Sequence, residues 1–209
     1  MWGERLARFL GAPVGSSTCF FRSNAVFCPN PPQKEDWQLG AIVQVVADDP
    51  ECVEHGCTVV VVPKIDTFDA LTIDYQLLRD HPTVRPNVRV MTSDGGAGVG
   101  ATGEWLSSEY IVYIPAHGAQ GRDRGKPVRI ALAKFLQSPP PGFAEVHDWV
   151  ASFPLPDGWV ARVVKRTRPL TIEQTMMLYE EAVDRVRSYA IAQELADLHV
   201  RAGDLARAA

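Results

Sequence analysis

No stretch of this sequence stays apolar for long. Val59 to Val62 is among the longest unbroken runs, and it falls far short of the ~20 residues that cross a bilayer. A membrane span is therefore not expected. A dominant charge is missing too. With 21 basic and 25 acidic residues the formal net charge is −4, which does not mark a dedicated nucleic-acid binder but leaves room for a local basic patch. The N-terminus lacks the apolar core of a secretory signal, because Glu4, Arg5 and Arg8 interrupt it. That points to the cytoplasm, or to a particle assembled there.

Cysteine and histidine are scarce, four and five residues. Cys52-x₄-Cys57 is borderline for a zinc knuckle and Cys19-x₈-Cys28 is too wide. A reducing compartment favours free thiols at Cys19, Cys28, Cys52 and Cys57, with a disulfide left open. No G-K-[ST] phosphate loop, H-E-x-x-H or G-x-S-x-G elbow occurs. Ser93, Asp94 and His117 have no spacing that supports a triad. No metal or cofactor is expected.

Apolar residues are present in force. At 46% of the chain, with 22% charged, they are enough for a folded body, and 209 residues suffice for one sizeable core. Trp2, Leu6, Phe9 and Leu10 share one face of a short N-terminal helix. In "CFFRSNAVFC" a turn at Ser23-Asn24 sets Arg22 opposite Ala25, Phe21 opposite Val26 and Phe20 opposite Phe27. In "CVEHGC" a two-residue turn at Glu54-His55 sets Cys52 opposite Cys57 in the same manner. "QLGAIVQVVADDP", "GCTVVVVPKI", "DALTIDYQLLRD", "NVRVMT", "EWLSSEYIVYIP", "KPVRIALAKFL" and "DGWVARVVKRTR" read as strands, and "FAEVHDWVASF" as a short helix.

From Leu170 the period changes. Thr171 can cap a helix, and Ile172, Met176, Tyr179, Val183, Val186 and Ala190 recur at helical spacing. One long helix should run to about Val200 and end at Ala202-Gly203. The expected fold is mainly β: an SH3-like small barrel or a β-sandwich of about eight strands. Residues 1–169 form the body with its short N-terminal helix, and 170–209 form an amphipathic helix packed on the body or on a partner.

Candidate chemistry sits in three places. Gly98-Val99-Gly100-Ala101-Thr102-Gly103 is a literal G-x-G-x-x-G, but dinucleotide binding needs a strand directly before it and a helix after it. A glycine-rich surface loop is the expectation. "HGAQGRDRGK" carries His117, able to move a proton, and Arg122 and Arg124, able to grip a phosphate. Together with Lys126 and Arg129, and with Arg162, Lys165, Arg166 and Arg168 of "RVVKRTR", these arginines can form one basic face. Such a face fits phosphates or an acidic protein surface, for which "ADDPECVE" on a neighbouring copy is suited.

"QLGAIVQVV…EHGCTVVVVPK" resembles the opening of SH3-like small barrels. The order of "LGAIVQV", "VVVVPKID" and the loop after "YIVYIP" is similar to the MazF/PemK family of toxin endoribonucleases. That resemblance implies metal-independent RNA cleavage, with Arg122 as a catalytic arginine and His117 nearby. The residues themselves favour a different expectation, a non-enzymatic binding or assembly protein. It would be a subunit of a larger homo- or hetero-oligomeric complex, such as a virus-particle or tail component, with protein neighbours as its partners and RNA as the rival.

Overall fold

A computed structural model of the chain describes residues 20–22, 25–27, 36–62, 68–92, 104–115, 127–187 and 189–203. It is not a barrel or a sandwich. One open sheet of five strands is flanked on both faces by helices. The expected eight-stranded, mainly β body is overturned, because much of what reads as strand is helix.

β1 (Phe20–Arg22) and β2 (Ala25–Phe27) form a separate antiparallel pair, with Phe20 opposite Phe27, Phe21 opposite Val26 and Arg22 opposite Ala25. This is the register the Ser23-Asn24 turn predicts. Cys19, Cys28 and the N-terminal helix read from Trp2 lie outside the described residues.

α1 spans Leu39–Ala47, where a strand is expected. Its β-branched residues favour strands, but the buried Ile42, Val43 and Val46 fall at i, i+1 and i+4, one face of a helix. α2 is Pro50–His55, capped by the Asp49 side chain on the Glu51 amide. The CVEHGC hexapeptide is thus no hairpin. Cys52 sits in a helix, Gly56 reverses the chain at φ 81°, and Cys57 opens the central strand. A residue larger than glycine here would also strike the Asn87 carbonyl, 2.8 Å from where a Cβ would lie. Cys52 and Cys57 are joined in a disulfide across a Cα separation of 4.9 Å, correcting the expectation of free thiols there.

β3 (Cys57–Val61) is the central strand, with β4 (Val88–Thr92) parallel on one side and β5 (Tyr110–Tyr113) parallel on the other. β7 (Val160–Arg166) runs antiparallel to β5, and β6 (His147–Pro154) antiparallel to β7. The order is β4-β3-β5-β7-β6. The valine run explains the central position of β3. Val59 and Val61 enter one core and Val60 and Val62 the other, as befits a parallel strand buried on both faces.

α3 (Ala70–Asp80) begins at a capping box between Asp69 and Thr72. Together with α1 and α2 it covers the first face, burying Ile42, Val46, Ile73 and Leu77 against Val59, Val112 and Val163. The second face is covered by α4 (Pro127–Gln137), α5 (Pro141–Val146), α6 (Ile172–Val186) and α7 (Tyr189–Ala202). There Leu132, Phe135, Phe143, Leu178 and Tyr179 pack on Val60, Ile111 and Val164. Thr171 caps α6 in a reciprocal box with Gln174. The helical stripe beyond it is divided in two by Arg187, which adopts a left-handed φ of 51°. No described helix is long and apolar enough to cross a membrane.

Candidate functional site

Strand alternation sends neighbouring residues of β7 to opposite faces of the sheet. The basic residues read from "RVVKRTR" are therefore divided. On the first face Lys165 lies 2.9 Å from Asp49 Oδ2, and its ammonium lies 5.9 Å from the Tyr110 ring centre. Tyr110 donates its hydroxyl hydrogen bond to the same Asp49 oxygen at 2.8 Å. Burial works against the Asp49 carboxylate, but hydrogen bonds from Lys165 and Tyr110 outweigh it and hold the carboxyl below its ordinary range. Burial, then the Asp49 charge, pushes the Tyr110 phenol far up. Both shifts favour the ionised carboxylate and the neutral phenol. The trio ties the corner between α1 and α2 to β5 and β7. Beside it lies a shallow cleft of about 490 Å³ that includes Glu51, Asp148, Val150 and Thr167 in its lining.

On the second face Arg166 is also engaged, to the Glu109 carboxylate and the Ser107 carbonyl. Arg168 is exposed beyond the strand. Arg162 differs from both. Its guanidinium lies over the indole of Trp149, 5.0 Å from the ring centre. It has no carboxylate partner among the described residues, and its Nε–H is buried without a hydrogen bond. Trp149 is 62% exposed on β6, the outermost strand on its side of the sheet, with Val150 and Val160 also exposed. The indole N–H is held by the Ala151 carbonyl at 2.8 Å, across a register irregularity between Trp149 and Ala151. The large apolar ring is thereby fixed in water.

The sequence reading misses Trp149, because "FAEVHDWVASF" reads as one helix. It is a helix only to Val146 and a strand from His147. The signal was the aromatic and β-branched content of "HDWVASFP". Arg122, Arg124, Lys126 and His117 lie outside the described residues, as do Ser93, Asp94 and the glycines from Gly98 to Gly103. β4 ends at Thr92, six residues before Gly98, and a single 3₁₀ turn at Glu104–Ser107 follows the glycine segment. Among the described residues a 3₁₀ turn, and not the α-helix of a dinucleotide fingerprint, follows the glycines.

The fold and this surface define a class: an open α/β sheet whose last strand presents an aromatic-cationic shelf. No family model, no curated protein and no solved structure matches the chain.

Proposed function

We propose that the chain is a non-enzymatic binding subunit of a larger protein assembly, and that it docks through the outer edge of its sheet. One observation carries this reading. Trp149 stands 62% exposed on β6 under an arginine that lacks an ion-pair partner among the described residues. Tryptophan and arginine are the residues most enriched where interfaces concentrate their binding energy, and Val150 of β6 and Val160 of β7 are exposed as well. A virus-particle or tail component is one such subunit. The Cys52–Cys57 disulfide weighs against a permanently reducing setting; a particle assembled in the cytoplasm and then released fits both features.

The test is the mass of the natively isolated protein. The wild type travels in a complex well above 23.0 kDa, and the Trp149→Ala/Arg162→Ala double variant, with unchanged circular dichroism, falls to the single-chain mass. A wild type found only as a single chain, or a double variant retained in the complex, contradicts the reading.

A second reading is a phosphate-bearing ligand, RNA included, acted on by His117, Arg122 and Arg124. The barrel on which the MazF/PemK resemblance leaned is gone, but the sheet topology favours a ligand independently. β3, β4 and β5 are parallel, and β4 and β5 flank β3 on opposite sides. Open α/β sheets bind ligands beyond the carboxyl ends of strands at such a switch point, and the segment following β5 carries these three residues. RNA incubated with the protein without added metal is cut on this reading, and Arg122→Ala and His117→Ala abolish the cut. RNA left intact by the wild type removes it.

A further inference from the structure

Resting on the edge-docking reading, we infer that the partner meets the chain as an extended polypeptide segment that pairs with β6 as a sixth strand and sets a carboxylate against Arg162. β6 ends the sheet on its side, so no strand pairs with its outer N–H and C=O groups among the described residues. The irregularity that helps to blunt such an edge is confined to Trp149/Ala151; from Ala151 to Pro154 the register with β7 is continuous, and Pro154, which lacks an N–H, marks where pairing with an added strand ends. That stretch can accept a neighbour in the β-addition mode.

Geometry then selects the charge. Arg162 is paired with Ser152, so both side chains stand on one face. Ser152 is exposed and short, and leaves the way from the guanidinium to the edge open. A residue of the added strand opposite Ser152 projects onto the same face, with its backbone about 10 Å from that of Arg162, two strand spacings away. An arginine and an acidic side chain span that gap together. Among the described residues the guanidinium has no counter-charge and its buried Nε–H has no hydrogen bond, and a carboxylate matches its fork of donors. Single-stranded nucleic acid fits less well. Arg162 already covers one face of the indole on which a base would stack.

The probes are acetylated and amidated peptides of alternating Thr and Val with a central Asp, Asn or Lys, together with an oligouridylate. Each is titrated into the ¹⁵N-labelled full chain. The Asp peptide shifts the amides of residues 151–153 and binds about tenfold more tightly than the Lys peptide, one charge pair's worth. In Arg162→Gln the two peptides come within about twofold of each other. Equal binding of the Asp and Lys peptides to the wild type overturns the inference, as does an absence of shifts in β6 or binding of the oligouridylate through Trp149 in their place. Peptides that fail, while the double variant still drops out of the native complex, remove the extended acidic partner and leave the edge-docking reading intact. A complex that keeps the double variant removes the reading itself.

Discussion

His147 shows how much one side chain can tie stability to pH. Its ring is buried and stacked on Phe143 at 3.9 Å. Nδ1 lies 3.2 Å from the Phe143 carbonyl, so that nitrogen carries the proton, and Nε2 is left buried and unpartnered. Burial, with a smaller contribution from the nearby Arg166 charge, pushes the pKa from 6.5 down to about 4. Between these values the unfolded chain binds the proton and the folded one does not, so stability falls as pH drops from 6.5 towards 4. The full loss is about 3 kcal/mol. His147→Phe, which keeps a ring and cannot titrate, should lose correspondingly less between pH 7 and pH 4.5 when urea unfolding is followed at both. Equal losses in the two proteins would contradict this account of His147. At the same scale, Arg162 and Lys165 were legible as strand residues, but they were grouped in one basic face, and the strand alternation that sends them to opposite faces was not applied to them. Their partners were not. Asp49 and Trp149 come from remote segments, and only the sheet order brings them together.

Among the elements, the junction of α2 and β3 is cross-linked by Cys52–Cys57, with both sulfurs in the first core. So short a closed loop limits the entropic stabilisation to about 2 kcal/mol. Reduction should therefore lower the stability measured by urea unfolding by about 2 kcal/mol without abolishing the fold. Complete unfolding on reduction under native conditions would show that the sheet depends on this link. The elements also explain the misreadings. "GAIVQVV" and "DALTIDYQLLRD" each fit two periods at once. Leu71, Ile73, Tyr75 and Leu77 alternate, but Ala70, Ile73 and Leu77 also share a helical face, and that face is the buried one. Local spacing could not decide between them. The capping pair Asp69 and Thr72 was the cue that favoured the helix. Where only one period fitted, as in "TVVVV" and in the stripe beyond Thr171, the element type was legible.

At the scale of the whole molecule, three misread helices conceal the architecture. With α1, α3 and α4 read as strands the chain looks all-β; with them restored it alternates helix and strand, which is the pattern of a layered α/β sheet. The order β4-β3-β5-β7-β6 was beyond reach, since it depends on which faces meet. It is that order which leaves β6 at the edge and Trp149 in solvent. Hydrogen exchange on the protein held in its native complex, compared with the same protein released from it, tests the central claim most directly. The account predicts that the amides of residues 151–153 in β6 exchange markedly more slowly in the complex, while those of β4 at the opposite edge do not change. Exchange in β6 that is the same in both states, or protection confined to β4, would contradict it.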